Sequence, residues 1–206
     1  MWCARFIGWK HPELVIKLAA KLKKEGYHFI IDMYGTGPEL EKVKVLANKQ
    51  NVNDEINFQG NLPNDQILQA MGRHHIFLFT SDQNEGWGAV MNEAMSCGCA
   101  VVASNKIGAT PFLIRHNHNG LVFRSGHVNS LFIEVKKLFE DNTLRCRLGQ
   151  AALETMQGLW NPKIASERLI SLCDALLEGN FAPQKEGPCS VATPVKYDFY
   201  KIERLE

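Results

Sequence analysis

The sequence predicts an α/β protein with a doubly wound, six-stranded parallel sheet and helices on both faces. Short apolar runs of strand length alternate with longer amphipathic stretches of helical periodicity along most of the 206 residues. Strands that are joined by helices run parallel, and a sheet covered on both faces needs strands that are apolar throughout. With right-handed crossovers, six such strands favour the order 3-2-1-4-5-6, in which ligands bind where the order reverses, between the first and fourth strands.

The predicted elements form one domain over residues 1–178, followed by a tail over 179–206 whose three prolines predict extended structure. Strands are predicted over 4–7, 27–34, 56–58, 76–79, 99–103 and 119–123. Helices are predicted from Pro12 to a stop at Gly26, over 39–49, up to Met71, around 90–95, and over 128–141, 143–156 and 162–177. Pro12 suits the first turn of a helix, and Glu13 after it favours the positive helix start.

One stretch, over residues 80–104, places two carboxylates and a glycine-rich turn between two buried strands. Glu85 lies in the loop, and Glu93 lies about two turns inside the helix on roughly the same face, because a helix repeats every ~3.6 residues. Both have a structural interpretation, since Glu85 can favour the helix start and Glu93 can be a solvated position. The structural interpretation does not explain Gly86 and Gly88, because glycines weaken a helix start and are useful there only where the backbone must approach another group closely. A half-buried carboxylate needs donors such as the two hydroxyls of a ribose, and free N–H groups suit phosphate or sugar oxygens.

Two basic residues are predicted at the same edge of the sheet. Arg5 lies in the first predicted strand, and Lys10 lies in the turn that follows it. This turn and the loop over 81–88 converge where the strand order reverses, so the two most charged turns of the chain meet. A guanidinium binds phosphate oxygens bidentately, and an ammonium adds a point charge. Taken alone, Arg5 also fits a strand edge and Lys10 a surface cation.

Composition and charge exclude several classes of protein. Hydrophobic residues make up 45% of the chain, enough for a sizeable core, and a net charge of +1 gives no indication of nucleic-acid binding. No apolar run approaches the ~18 residues of a membrane helix. The six cysteines form no Cys-x-x-Cys pair, the histidines lack zinc-like spacing, and Asp-x-Asp does not occur. We therefore expect free thiols, a cytoplasmic location and no bound metal.

Several motifs occur together in a defined order. They are Arg5-x4-Lys10, Gly35-Thr36-Gly37-Pro38-Glu39, Glu85-Gly86-Trp87-Gly88, Glu93-Ala94-Met95, Gly98-Cys99-Ala100-Val101-Val102-Ala103, Gly108 and Asn119-Gly120-Leu121-Val122. With them the chain resembles, over about 4–177, the C-terminal, donor-binding domain of a retaining glycosyltransferase with two Rossmann-like domains (GT-B type). The resemblance is to the group 1, family four kind, which includes sucrose synthases and mannosyltransferases. A lone glutamate pair is a weak signal, whereas this ordered set on successive strand ends is specific.

The resemblance implies roles for these residues. Arg5 and Lys10 would hold the donor diphosphate as catalytic residues, and Glu85 would contact the donor sugar at the reacting centre. Glu93 would accept both ribose hydroxyls. The other implied donor-binding groups are the backbone N–H groups of Gly86, Trp87, Gly88 and Ala89, the turn of Gly60, Asn61 and Leu62 beside the base, and Gly35. Gly35 either lets a ligand approach or only makes the turn before the second helix, and both interpretations stay open. No metal or other cofactor is implied.

The resemblance also implies parts outside this sequence. An N-terminal domain would bind the acceptor, a glycan or lipid-linked glycan, and the full-length protein would associate peripherally with the inner face of a membrane. We interpret the abrupt start of the first strand as a cut from a longer protein, and Leu205-Glu206 as vector sequence. Two positions depart from the family, since Gly108-Ala109 replaces Gly-Gly and Phe112 replaces a glutamate, so the sugar preference cannot be carried over.

Three functions remain open from the sequence. The first is the donor-binding half of a glycosyltransferase, inactive as this chain alone. The second is a sugar-nucleotide epimerase, which has the same two-domain plan, although the spacing of the basic and acidic pairs favours the transferase. The third is a non-catalytic nucleotide or dinucleotide module. Gly8-Trp9-Lys10 follows the first strand in place of Gly-x-Gly-x-x-Gly, so an NAD site would lack its phosphate turn.

Overall fold

The computed structural model describes residues 1–180 and 183–192, and strands alternate with helices as the sequence predicts. The strands are β1 (Trp2–Cys3), β2 (Ile31–Tyr34), β3 (Ile56–Gly60), β4 (Ile76–Phe79), β5 (Ala100–Ser104) and β6 (Leu121–Phe123). The helices are α1 (Pro12–Lys24), α2 (Leu40–Lys49), α3 (Asn64–Met71), α4 (Val90–Ser96), α5 (Thr110–Leu113), α6 (Val128–Glu140), α7 (Asn142–Gly158) and α8 (Pro162–Leu177). Two 3-10 helices cover Gly8–Lys10 and Asn53–Glu55. The predicted tail residues 181–182 and 193–206 lie outside the described residues.

All strand pairs are parallel, and the predicted strand order is confirmed. The strands form two three-stranded sheets, β1-β2-β3 and β4-β5-β6. Met1 joins the two sheets, because its nitrogen donates to Ile76 O at 2.6 Å and Leu78 N donates to its carbonyl oxygen at 2.9 Å. This is the bonding pattern of a parallel ladder. The order is therefore 3-2-1-4-5-6, with β1 and β4 adjacent at the reversal.

Two hydrophobic clusters cover the two faces of the sheet. One contains side chains of α1, α2 and α6, and the other contains side chains of α3, α4 and α7. Successive residues of a strand point to opposite faces, so Leu78 packs in the first cluster and its neighbours Phe77 and Phe79 pack in the second. Each such buried side chain stabilises the fold by about 1.5–3 kcal/mol. The helices therefore hold the strand ends, and the loops that follow them, in defined positions.

The predicted first strand over 4–7 was wrong. The observed strand β1 ends at Cys3, which pairs with Tyr34 at the end of β2. Directly after this pair, Gly35 and Gly37 take φ angles of 126° and 152°. Such angles are open to glycine and turn the partner chain away from the pleated path. Backbone hydrogen bonds still connect the two chains beyond Cys3, as from Phe6 N to Thr36 O at 2.9 Å, but they form no regular strand ladder. The sequence pattern of an apolar run does not reveal this.

The predicted second strand over 27–34 begins too early, since β2 begins at Ile31. Tyr27 belongs to the end of α1, where its N–H donates to Leu22 O at 3.1 Å. The first residue of β3, Ile56, pairs with Ile31, so the ladder between β2 and β3 starts there. The extent of this strand is thus set by its neighbour and not by its own residues.

The other elements lie within two residues of their predicted bounds, and α8 has the predicted bounds. The short helix α5 and the 3-10 helix Asn53–Glu55 were not predicted. Helix α4 begins at Val90, so Gly86 and Gly88 lie in the loop ahead of the helix and not in its first turn. The glycine-rich segment is therefore free to take a loop conformation.

The described part of the tail turns back on itself instead of running extended, with a bridge between Gln184 and Ser190. Arg115 pairs with the Glu186 carboxylate, and the Arg168 guanidinium donates to Pro188 O at 3.4 Å. These contacts hold the segment against the region of α5 and α8. Among the described residues, no helix is both long and apolar enough to span a membrane.

Candidate functional site

The turn after β1 and the loop after β4 meet at the carboxyl edge of the sheet, where the strand order reverses. Asp82 N donates to Trp9 O at 3.0 Å, and Thr80 Oγ1 donates to Lys10 O at 2.6 Å. Trp2 Nε1, from β1, donates to Thr80 Oγ1 at 2.9 Å. Both flanking strands therefore anchor the 3-10 helix that carries Lys10.

Lys10 and Glu85 form an ion pair through Nζ and Oε2, and their side chains are only 12% and 11% exposed. Ser81 Oγ donates to the same carboxylate oxygen at 3.2 Å. The ammonium also lies 4.2 Å from the centre of the Trp9 ring, within the range of a cation–π interaction. Because the pair is largely shielded from water, its attraction is screened less than that of a surface pair. The structure thus joins two predicted catalytic residues that are far apart in the sequence.

The glycine-rich loop over 86–89 is held from the other side by the loop between β5 and α5. Gly108 N donates to Glu85 O at 3.0 Å, and Ala109 N donates to Trp87 O at 3.2 Å. A Cβ atom on Gly108 would lie 1.7 Å from the carbonyl oxygen of the first glycine of the loop, so no larger residue fits there. The two backbones are in direct contact, and the position of the loop depends on this contact.

The backbone N–H groups of this loop are available as donors in the described part of the chain. Within the described parts of the chain, the backbone nitrogens of residues 86–89 make no hydrogen bond to another residue. Gly88 has a φ of +84°, and a Cβ there would lie 2.5 Å from the Phe79 ring. The loop can therefore keep this conformation only with glycine at that position. Free N–H donors next to a cation suit the anionic oxygens of a phosphate.

The Trp87 side chain takes part in an aromatic cluster. Its ring centre lies 5.8 Å from that of Phe112 and 5.6 Å from that of Trp160. Its Nε1 donates to Asn92 Oδ1 at 3.0 Å. The ring of Phe112, at the position where the resemblance predicts a glutamate, packs directly on a residue of the glycine-rich loop. The ring is still 37% exposed, and the predicted ligand contact of Trp87 is through its backbone N–H.

Glu93 lies on α4 and is partly buried. Burial raises the pKa of its carboxyl, against a smaller effect of a hydrogen bond with Asn64 that favours the charged form. The nearby Cys3 thiol has its pKa raised to about 11, first by burial and then by the Glu93 charge, whereas Lys10 lowers it. Cys3 therefore lies within electrostatic reach of both the carboxylate and the cation. Such a carboxylate differs from a fully solvated helix position, and its role in ribose binding stays a prediction.

Arg5 and Gly35 lie beside this group without joining it. Arg5 is exposed, and no ion pair connects it with a carboxylate in the described residues. A Cβ on Gly35 would lie 1.9 Å from Ala4 O, and its N–H donates to Gly60 O at 2.8 Å. The close approach that requires glycine at position 35 is therefore to the chain itself, while contact of Gly35 with a ligand stays a prediction.

The turn after β3 lies at the same edge of the sheet. Gly60 has a φ of +69° with open space around it, and Asn61 Nδ2 donates to Thr36 Oγ1 at 3.0 Å. The Leu62 side chain is 38% exposed. The turn therefore has an exposed apolar side chain and a glycine with open space on either side of Asn61, and its contact with a base stays a prediction.

Sequence reasoning missed one residue of this site, His11. Its ring nitrogens lie 3.0 Å from Glu13 Oε1 and 3.3 Å from Asp82 Oδ2. The only signal in the sequence is its place between Lys10 and Pro12, because nothing in the pattern predicts that Asp82 reaches it. It connects the 3-10 helix with the loop after β4.

Comparison with known families gives the identity of the domain. The family model described as "Glycosyl transferases group 1" matches residues 2–155 of the 206. The chain belongs to the group 1 glycosyl transferases. The family resemblance that the motifs predict is thereby confirmed.

Curated relatives of this group 1 domain are longer proteins. It is 29% identical over 160 residues to an uncharacterized glycosyltransferase of Methanocaldococcus jannaschii, and the match covers 77% of this chain and 40% of that protein. It is 25% identical over 163 residues to a GDP-mannose-dependent alpha-(1-6)-phosphatidylinositol monomannoside mannosyltransferase of Mycobacterium tuberculosis. This match covers 76% of this chain and 42% of that protein. The chain thus spans about two fifths of the length of these relatives.

Solved structures with the same architecture include three proteins that are longer than this chain. TarM of S. aureus, in complex with Fondaparinux, alpha-GlcNAc-glycerol and UDP, has a TM-score of 0.74 at 22% identity, over 82% of this chain and 34% of that one. HepE of Anabaena in complex with UDP has a TM-score of 0.69 at 23% identity, over 76% and 43%. Sucrose-phosphate synthase of Thermosynechococcus elongatus has a TM-score of 0.74 at 21% identity, over 86% and 45%. The predicted fold class is therefore confirmed.

Proposed function

We propose that this group 1 domain is the donor-binding half of a glycosyltransferase that moves a sugar from a nucleoside-diphosphate sugar to an acceptor, with retention of anomeric configuration. The observation that carries the proposal is the shielded pair of Lys10 and Glu85 next to the free N–H groups of residues 86–89. A cation and several N–H donors suit a diphosphate, and the carboxylate beside them suits sugar hydroxyls. Two of the similar solved structures contain UDP, which is consistent with this ligand class.

The chemistry follows from where charge develops. Breaking the bond between sugar and phosphate leaves negative charge on the diphosphate. Lys10, Arg5 and the N–H groups of 86–89 would favour this charge in the transition state more than in the ground state. Arg5 is exposed and unpaired with any described carboxylate, so it is able to turn toward the ligand. Glu85, once its cation binds the diphosphate, would contact the donor sugar.

Residues from both sides of β1 would contact the nucleoside. Glu93 would accept both ribose hydroxyls, since a carboxylate with a raised pKa gains from two donors. The turn of Gly60, Asn61 and Leu62 would border the base, with Gly35 next to it. The exposed Leu62 side chain supplies an apolar contact for one face of a base.

No metal enters this proposal. The described residues include no group of three or more His, Cys, Asp or Glu side chains that could hold an ion. Cations and N–H groups of the protein would take the place that Mg²⁺ has in metal-dependent transferases. The acceptor, a glycan or lipid-linked glycan, would bind to a second domain, as the greater length of the relatives permits.

The test is a binding screen with the purified chain. UDP, GDP and ADP, and sugars of each, are titrated by calorimetry in EDTA and again in Mg²⁺, with NAD as the control ligand. We expect one nucleoside diphosphate to bind equally well in both buffers and NAD not to bind. Strict dependence on Mg²⁺, or binding of NAD alone, would contradict the proposal. Conversion of a nucleotide sugar into its epimer would instead identify the epimerase function.

A further inference from the structure

His11 has a left-handed backbone conformation directly ahead of a proline. Its φ and ψ angles are 50° and 51°, in the left-handed region. Residues other than glycine are uncommon there, and a residue before proline favours extended backbone. His11 precedes Pro12 and directly follows Lys10. Strained backbone of this kind persists only where the surrounding contacts impose it, and it is concentrated at functional sites.

His11 ends the 3-10 helix, where its N–H donates to Gly8 O at 3.1 Å, and two carboxylates hold its imidazole ring. Nδ1 lies 3.0 Å from Glu13 Oε1, and Nε2 lies 3.3 Å from Asp82 Oδ2. The ring is 26% exposed, and the Asp82 side chain is 17% exposed. Carboxylates accept hydrogen bonds and do not donate them, so only the doubly protonated ring can serve both partners. The geometry therefore selects the imidazolium form.

The two carboxylates belong to different elements. Glu13 is in the first turn of α1, and Asp82 is in the loop after β4 that also carries Glu85. Asp82 is itself held by the backbone N–H and the side-chain amide of Asn84, at 2.8 and 2.9 Å. The ring thus connects the end of the 3-10 helix with both elements that flank the ion pair.

From these contacts we propose that His11 is a positioning residue, whose charged ring fixes the backbone of Lys10 so that the Lys10 ammonium can pass from Glu85 to the diphosphate of the donor. This inference rests on the proposed function. It assigns the ring no contact with the ligand. The hydrogen bond from Thr80 Oγ1 to Lys10 O holds the same residue from the other side, and the ring completes the support.

The charges around the ring favour its protonation. The hydrogen bond with Glu13 is the largest influence and raises the pKa of His11, partial burial opposes it, and Asp82 adds to the increase. Lys17 on α1 faces Glu13. His11 and Glu13 line a groove together with α2 and the turn before it. This opposite wall contributes further charged residues, which are Glu39, Glu41, Lys42 and Lys49. A raised pKa means that the link is complete below the ordinary value of 6.5 and is lost as the pH rises through the folded value.

The test is a double-mutant cycle with the nucleoside diphosphate that binds best, measured by calorimetry at pH 6 and pH 9. We expect His11→Ala to weaken its affinity about threefold to tenfold at pH 6, and by less at pH 9. In a Lys10→Ala background, the same change should have no further effect. Affinity for the corresponding monophosphate should change little in His11→Ala. The matched control is His28→Ala, an exposed histidine ahead of β2.

A second variant separates the ring from the backbone. His11→Gly suits the left-handed conformation and keeps the fold, but it lacks the ring, so we expect the same loss of affinity and no pH dependence from this site. An equal loss in the Lys10→Ala background, or a pH dependence in His11→Gly as large as that of the wild type, would overturn the inference while the proposed function stands. Failure of the wild type to bind any nucleoside diphosphate would overturn both.

Discussion

At the scale of single residues, the charge of Glu93 is expected to favour ligand binding and to lower the stability of the fold. Burial raises the pKa of its carboxyl above the ordinary 4.5. In the interval between 4.5 and the folded pKa, the folded chain holds the proton that the unfolded chain has lost, so this residue lowers stability as the pH rises through that interval. Glu93→Gln removes the charge. We expect the affinity for the nucleoside diphosphate to fall by about 1–3 kcal/mol, and the Tm at pH 7 to stay equal or rise.

The matched control is Glu41→Gln, since the Glu41 side chain is 79% exposed and lies on α2. It should change neither quantity. Calorimetric titration gives the affinity, and differential scanning calorimetry gives the Tm. A Glu93→Gln variant that binds as well as the wild type would exclude the ribose contact. A lower Tm together with weaker binding would indicate a structural role.

Lys10 is expected to discriminate between phosphate chains of different length. Its ammonium already pairs with Glu85. Because this ion pair is weakened when the ammonium binds a diphosphate, the net gain in binding free energy is smaller than that of a new ion pair. We therefore expect Lys10→Ala to weaken nucleoside diphosphate binding by about 1.5 kcal/mol, roughly tenfold, and to affect the monophosphate less. The same titrations with Lys44→Ala, a surface residue paired with Glu41, serve as the control. Equal losses for both ligands would mean that Lys10 makes no specific contact with the second phosphate.

At the scale of elements, the loop after β5 supports the glycine-rich loop after β4. A Cβ added at Gly108 would lie only 1.7 Å from a carbonyl oxygen, and a backbone atom cannot move aside as a flexible side chain can. We expect Gly108→Ala to lower the free energy of unfolding by about 1–3 kcal/mol, the range for overpacked sites. Nucleotide binding should be lost as well, because the N–H groups of 86–89 shift with the loop.

Gly158→Ala is the control for this change, because Gly158 ends α7 and has open space around it. It should keep the affinity and gain up to about 1 kcal/mol, the difference in helix propensity between the two residues. Urea unfolding and calorimetric titration measure both effects. A Gly108→Ala variant with unchanged stability and affinity would show that the two loops do not depend on each other.

At the scale of the whole molecule, binding and transfer are expected to separate. The donor groups belong to one sheet edge, so the chain should bind the nucleoside diphosphate by itself. Transfer also needs the acceptor held against the sugar, a positioning effect that is worth about 7–11 kcal/mol of the barrier. The chain spans about two fifths of its relatives, and one domain forms only one wall of a cleft. We expect no measurable sugar transfer by this chain, measured with a labelled donor and a mixture of acceptors, and rapid transfer would contradict this domain assignment.

The fold class, the strand order and the edge of the sheet that carries the site follow from local sequence patterns. Apolar runs and helical periodicity are local properties, and the loops after parallel strands must lie at one edge, so Lys10 and Glu85 were predicted to be neighbours there. The motifs also indicate the family. The bounds of β1 and β2 could not be predicted in the same way, because a strand ends where its partner turns away, as at Gly35.

The pairing of side chains across the loops, in contrast, is a product of tertiary packing. Lys10 and Glu85 are 75 positions apart, and His11 and Asp82 are 71 apart. No periodicity connects such residues, since their distance depends on the packing of α1 and α4 on the two faces of the sheet and on the twist of the strands between them. The contact of Gly108 with the glycine-rich loop has the same origin. The contact of the His11 ring with Asp82 likewise exists only in the folded chain, because the packing of the sheet brings the loop after β4 to the end of the 3-10 helix.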